Sequence, residues 1–99
     1  MKDTIDRGSV VVAAEGQVSS DLAGETVILD VKSGIYYGLN GVATRIWQLI
    51  QEPCAVREVY ETLLQEFEID AERCEHEVLA LLQDLAFKRL IEVKNEMDM

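Results

Sequence analysis

The pattern of apolar and polar residues separates a strand-like first half from a helical second half. The segment "SVVVAAE" at residues 9–15 is rich in β-branched residues and predicts a strand. Residues 26–39, "TVILDVKSGIYYGL", alternate in polarity and are interrupted at Ser33-Gly34, which is typical of a β-hairpin. The intervening "GQVSSDLAGE" contains many turn-forming residues and is predicted to be a loop.

The predicted hairpin determines which faces of the sheet the two adjacent tyrosines should occupy. A two-residue loop at 33–34 would pair Val31 with Tyr36 and Asp30 with Tyr37. Because successive side chains of a strand point to opposite faces, the two tyrosines should lie on opposite sides of the sheet. One should therefore pack inward and the other should not.

The second half of the chain changes to a helical period. Asn40 is the expected N-cap of a first helix that ends before Pro53, and a second helix is predicted from Val56 to Phe67. Asp70 is expected to cap a third and longer helix, and "LIEV" predicts a short terminal strand. The apolar stripe of the third helix consists of Cys74, Val78, Leu81, Leu82 and Leu85.

The order of elements predicts an α+β fold, with a three-stranded antiparallel sheet followed by three helices. No strand-helix-strand unit is apparent, so the helices are expected to pack on one face of the sheet. Ninety-nine residues are too few to form two separate cores. We therefore expect one domain over residues 1–99, with its ordered core at about residues 9–93.

Charge argues against nucleic acid as a partner. Nineteen acidic and nine basic residues give a net charge of -10, and the cations are scattered, with only Lys88 and Arg89 adjacent. A phosphate backbone would be repelled by such a surface. The sequence also contains no run that predicts a signal peptide or a membrane span, so we expect a cytoplasmic protein without a membrane partner.

The residues that usually perform catalysis are nearly absent. His76 is the only histidine, and it lies two residues after Cys74, so the two side chains would point about 200 degrees apart on a helix. The acidic residues of the third helix match no metal-binding motif, and no phosphate-binding glycine loop occurs. Cys54 and Cys74 are predicted to be reduced structural thiols. We therefore expect no enzymatic activity, no metal and no cofactor.

The combination of motifs resembles the PqqD-like family. The segments concerned are "TVILDVKSGIYYGLN", "GVATRIWQLI", "AVREVYETLLQEFEID" and "LAFKRLIEV", and the resemblance covers roughly residues 9–93. Its most specific part is "YYGLN" followed by "T-RIW". Within the family, the sequence looks most like the stand-alone leader-binding proteins of lasso-peptide biosynthesis.

This resemblance implies a RiPP recognition element, which is a winged-helix-like module that binds the leader segment of a ribosomally made precursor peptide. The leader would add as a strand along Ile35–Gly38 and lie beside the helix at residues 71–88. The implied partners are the leader, a leader-cleaving protease and a ring-forming cyclase. The implied leader-binding residues are Leu29, Val31, Ile35, Tyr36, Tyr37, Gly38, Val78, Leu81, Leu82 and Leu85.

Two other classes of function stay open at this point. Three strands and three helices are also compatible with a winged-helix DNA-binding regulator, although recognition helices usually carry Arg and Lys and the third helix here is acidic. A small enzyme is the other alternative, but the sequence contains no acid-base pair with a geometry suited to catalysis. The sequence does not specify the leader, the final product or the oligomeric state.

Overall fold

The computed structural model describes residues 5–94, which form six strands and three helices. In chain order they are β1 (Val10–Ala13), β2 (Gln17–Leu22), β3 (Glu25–Asp30), β4 (Ile35–Asn40), α1 (Val42–Leu49), β5 (Cys54–Ala55), α2 (Val56–Glu66), α3 (Ala71–Phe87) and β6 (Ile91–Val93).

The strands form two small antiparallel sheets. One has the order β5-β1-β6 and the other the order β2-β3-β4. The predicted α+β class is confirmed, but the first strand and the hairpin do not share a sheet as expected. Instead, β1 pairs with the terminal strand β6 and with the short strand β5 that precedes α2. The terminal strand predicted from "LIEV" is present and ties the end of the chain to its beginning.

The prediction that "GQVSSDLAGE" forms a loop was wrong, because most of this segment forms β2. This strand is exposed along nearly its whole length, so it lacks the apolar alternation by which strands are recognised. Its inward-facing positions carry polar groups that are satisfied by hydrogen bonds. The Trp47 Nε1 group donates to Ser19 Oγ at 3.3 Å, and the Thr26 hydroxyl donates to Asp21 Oδ1 at 3.0 Å.

The loop between β3 and β4 is longer than predicted, which corrects the register of the hairpin. Asp30 pairs with Ile35 instead of Tyr37, so the turn comprises residues 31–34. The Asp30 carboxylate organises this turn, since Oδ1 accepts from the Lys32 amide at 3.2 Å and Oδ2 accepts from the Ser33 hydroxyl at 3.0 Å. The shift is two positions, so each tyrosine keeps the face that it was expected to have.

The helices begin and end close to where the sequence predicted. Asp70 caps α3 as expected, its side chain accepting from the Arg73 amide. Asn40, however, is the last residue of β4, and the N-cap of α1 is Gly41, whose φ of 54° lies in the region that favours glycine. This glycine lets the chain turn directly from strand to helix.

The core is one cluster that includes residues from both sheets and all three helices. Its α3 members are four of the five residues of the predicted stripe, whereas Leu81 is only partly buried. The buried hydrophobic residues are Ile5, Val11, Ile28, Leu39, Ile46, Trp47, Ile50, Val56, Val59, Leu63, Cys74, Val78, Leu82, Leu85, Leu90 and Ile91. None of the helices described is long and apolar enough to cross a membrane.

An ion pair joins α1 to α2 at the surface. Arg45 Nε donates to Glu66 Oε1 at 2.8 Å, and Nη2 donates to Glu66 Oε2 at 3.0 Å. Hydrogen bonding from Arg45 lowers the pKa of the Glu66 carboxyl, and the same contact raises the pKa of Arg45. The two-pronged geometry orients the helices, although exposed pairs stabilise proteins only slightly.

Truncation of a core residue tests this packing. Leu63→Ala removes a fully buried side chain from α2, and we expect it to lower the free energy of unfolding by about 2–5 kcal/mol. Leu22→Ala is the control because that leucine, on β2, is 58% exposed, so its loss should change stability by less than about 0.5 kcal/mol. Equal effects in urea unfolding would contradict the assigned core.

Candidate functional site: the open edge of β4

One edge of β4 is unpaired in the part of the chain that the structure describes. The strand lies at the end of the order β2-β3-β4 and pairs with β3 along all six of its residues. An edge strand exposes backbone N–H and C=O groups, which can pair with another extended chain. The β4 edge can therefore accept a further strand.

The two faces of β4 differ in burial. Tyr37 lies opposite the fully buried Ile28 and packs against the core, whereas Tyr36 lies opposite Leu29 and is 67% exposed. The prediction that one tyrosine packs inward and the other does not is thus confirmed. Leu39 is buried on the same face as Tyr37. The inner face anchors the strand, and the outer face is accessible.

The C-terminal end of α3 lies beside β4. The Lys88 ammonium group lies 5.1 Å from the centre of the Tyr37 ring, a distance typical of a cation–π contact. At the other end of β4, a cavity of about 380 Å³ is lined by Val42, Ala43, Glu77 and Leu81. We call the space between Ile35–Asn40 and α3 the β4–α3 cleft.

These contacts also give the relative direction of the two elements. The beginning of β4 lies near Lys88, at the C-terminal end of α3, and the residues that follow β4 lie near Leu81, about two turns earlier. Therefore β4 and α3 run in opposite directions.

The ten residues expected to bind a leader fall into three groups by burial. The buried group belongs to the core of the chain, the half-buried group lies at the boundary between core and surface, and the exposed group is accessible. Val78, Leu82 and Leu85 are buried, Leu29, Tyr37 and Leu81 are half-buried, and Val31, Ile35, Tyr36 and Gly38 are exposed.

The three buried residues of α3 support the cleft and do not line it in this structure. Leu82 is fully buried, and Val78 and Leu85 are each 2% exposed. Leu81 differs because it is half-buried and lines the cavity beside α1. Contact of a peptide with any of these four residues stays a prediction, and Leu81 is the one whose side chain borders a cavity.

Nothing in the fold of the chain requires glycine at position 38. Its φ lies outside the positive range that favours glycine, and a Cβ atom placed there would meet nothing within 4 Å. Glycine inside a strand weakens it and often marks a position that a ligand or another backbone approaches closely. The position of Gly38 on the open strand fits that interpretation.

A cluster of cations at the Lys88 end of the cleft was not predicted from the sequence. A cavity of about 610 Å³ is lined by Lys32, Lys88 and Arg89, together with the carboxylates of Glu15 and Asp30. The basic residues appeared scattered because Lys32 lies in the β3–β4 turn, far from α3 in sequence. Only the packing of that turn beside the end of α3 brings them together.

The side chains that could act as a nucleophile and a base, Cys74 and His76, lie on different sides of α3. Cys74 is buried and His76 is exposed, so they do not form a pair. Both cysteines are free thiols, and burial raises the pKa of each, which disfavours the reactive thiolate. Within residues 5–94, no three His, Cys, Asp or Glu side chains are arranged to hold a metal ion.

The fold and the cleft define a small α+β module with an open strand beside a helix. The chain belongs to the PqqD family, because the family model described as "Coenzyme PQQ synthesis protein D (PqqD)" matches residues 25–91. The matched region begins at β3 and ends at the first residue of β6. The resemblance that the sequence motifs indicated is thereby confirmed.

Two solved structures are similar over most of the chain. One is TbiB1 in complex with the TbiA(beta) leader peptide, at 31% identity and a TM-score of 0.76, covering 82% of this chain and 94% of that one. The other is a lasso peptide synthetase B1 complexed with the leader peptide, at 23% identity and a TM-score of 0.74, covering 83% of this chain and 96% of that one. Comparison with curated proteins gave no match.

Paired substitutions of the tyrosines test the two faces of β4. Tyr37→Ala should lower the free energy of unfolding by about 2 kcal/mol, because it removes a half-buried ring from the core and its contact with Lys88. Tyr36→Ala should change it by less than about 0.5 kcal/mol, since that ring is exposed. Thermal unfolding of both variants would show the reverse order if the faces were assigned incorrectly.

Proposed function

We propose that this protein is a RiPP recognition element that binds the leader segment of a lasso-peptide precursor. The observation that carries this proposal is the edge of β4, which lies beside the end of α3 and pairs with no strand of residues 5–94, in a chain of the PqqD family. Support also comes from TbiB1, which is similar over most of its length and binds a leader peptide. The two free thiols are consistent with action in the reducing cytoplasm.

The leader adds to β4 as a further antiparallel strand. Main-chain hydrogen bonds to residues 35–38 provide affinity, and alternate side chains of the peptide enter the β4–α3 cleft, where Tyr37 and Leu81 offer apolar contact. Since β4 begins near Lys88, an antiparallel peptide runs from the Leu81 end of the cleft towards the Lys88 end. Its C-terminal continuation, which leads to the core peptide, leaves beside Lys88.

The module contributes positioning and no chemistry of its own. By holding the leader, it raises the concentration of the core peptide at the leader-cleaving protease and the ring-forming cyclase to about the millimolar range. The winged-helix DNA-binding alternative is disfavoured because the exposed surface of α3 carries Glu72, Glu77 and Asp84. An acidic helix of this kind would be repelled by phosphate groups.

The primary experiment is a titration of isotope-labelled protein with the leader of the precursor from the same biosynthetic gene cluster. Amide shifts should cluster on residues 35–43 and on the part of α3 that contains Glu77, Leu81 and Lys88. Duplex DNA, added in a parallel titration, should cause none. Shifts confined to α2 or to the β5-β1-β6 sheet would place the peptide elsewhere and refute the model.

A bulky charge in the cleft should prevent binding without unfolding the protein. We expect Leu81→Arg to weaken leader binding about tenfold or more, because the half-buried leucine lines the cavity beside α1. Gln83→Arg is the matched control, since it makes the same change of charge on an exposed position of α3 that points about 200 degrees away. Calorimetric titration showing equal affinities for the two variants would exclude this cleft.

Gly38 offers a test in which stability and binding move differently. Gly38→Val should leave the melting temperature unchanged or raise it, because valine favours strands and the position has free space. The same variant should weaken leader binding, since the branched side chain occupies room used by a neighbouring peptide strand. Retained affinity in the folded variant would show that no chain approaches β4 at this position.

A further inference from the structure

The cavity at the Lys88 end of the cleft has a composition unlike the rest of the surface. Its lining contains three of the nine Lys and Arg residues in a chain whose net charge is -10. Its volume of about 610 Å³ is within the range of ligand-binding pockets. An exposed apolar side chain, Val31, lies in the same lining.

Three cations and two carboxylates line this cavity, so its side chains carry a formal net charge of +1. Both oxygens of Asp30 are already used by the β3–β4 turn, accepting from the Lys32 amide and the Ser33 hydroxyl. Lys88 has an ion pair with Asp84 at 2.8 Å. Within residues 5–94, neither Lys32 nor Arg89 has a carboxylate within ion-pairing distance. Two cations of the cavity are thus available to an added anion.

The position of the cavity determines which part of a bound peptide reaches it. Lys88 belongs both to the cavity and, through Tyr37, to the β4–α3 cleft. A peptide antiparallel to β4 leaves the cleft at this end, so the residues just C-terminal to its strand-paired segment pass Lys88, from which the cavity extends along the β3–β4 turn to Gln17 and Val18 of β2.

We propose that the cavity lined by Lys32, Lys88 and Arg89 binds an acidic side chain of the leader, located just C-terminal to the segment paired with β4. This inference rests on the proposed function and specifies the chemistry of its ligand. Elsewhere on the surface, the net negative charge of the protein repels an acidic peptide. The acidic side chain therefore fixes the register and direction of the leader as well as adding affinity.

The sign of a charge effect separates this proposal from ordinary surface electrostatics. Without a cationic site, replacement of an acidic peptide residue by its amide would strengthen binding to a protein of charge -10. With the site, the same replacement weakens binding by about threefold to tenfold, as expected for partly exposed charge-assisted hydrogen bonds.

The experiment starts from a displayed library of random 20-residue peptides, selected on the full chain. Selected peptides should share an acidic position C-terminal to their apolar docking segment. The strongest binder and its acid-to-amide variant are then titrated against the wild-type protein, against Lys32→Gln/Arg89→Gln and against the control Arg57→Gln, which changes an exposed cation on α2. We expect the threefold to tenfold loss with wild type and Arg57→Gln, and little or none with the double variant.

The possible failures are distinguishable. Selected peptides that bind at the β4–α3 cleft, lose affinity with Leu81→Arg and show no acidic preference would overturn this inference alone. A loss from the acid-to-amide change that persists in the double variant would do the same. Absence of binding in the leader titration would refute the proposed function, and the inference falls with it.

Discussion

The site depends on the edge of β4, which no strand within residues 5–94 pairs and which β3 and the core hold in place. Open edges invite aggregation, so a protein that keeps one must hold it in a fixed position. Here β3 pairs with the whole length of β4, and Ile28 and Leu39 fix the inner face in the core. The Thr44 hydroxyl donates to the Leu39 carbonyl at 2.9 Å, which ties the end of the strand to α1. The edge is thus prepared for a partner before the partner arrives, so little ordering entropy is lost on binding.

Charge is distributed in a way that complements this backbone site. Two exposed carboxylates of α3 form ion pairs with neighbouring cations, Arg73–Glu77 and Lys88–Asp84. The remaining acidity is spread over the surface and repels polyanions, whereas Lys32 of the β3–β4 turn lies near Lys88 and Arg89 at the end of α3. Backbone pairing has little sequence preference, so side-chain features at the ends of the cleft must set which peptide binds and in which register.

The sequence predicted those elements whose local chemistry agrees with their tertiary environment. Helix α3 is an example, because Asp70 caps it and its apolar period faces the core. Strand β2 was missed because its inward positions are polar and accept hydrogen bonds from Trp47, 28 residues away in sequence, and from Thr26 on the neighbouring strand. The length of the β3–β4 turn was predicted incorrectly, because Ser33-Gly34 indicated a two-residue turn. The Asp30 carboxylate instead accepts hydrogen bonds that close a four-residue turn. The cation cavity depends on three segments that meet only in the folded chain.

The helical spacing of the apolar residues in α3 does not determine which of them face the core and which border the cleft. Val78, Leu82 and Leu85 follow intervals of four and three residues, and Leu81 lies beside them at intervals of three and four from Val78 and Leu85. The pattern therefore places all four on one stripe, although that stripe is wide enough to face two neighbours. Its centre packs into the core, and its edge, at Leu81, borders the cavity beside α1. A cleft bordered by so few side chains leaves most of the affinity to main-chain pairing. Selection between peptides therefore falls to the few side chains at its two ends, beside Leu81 and beside Lys88.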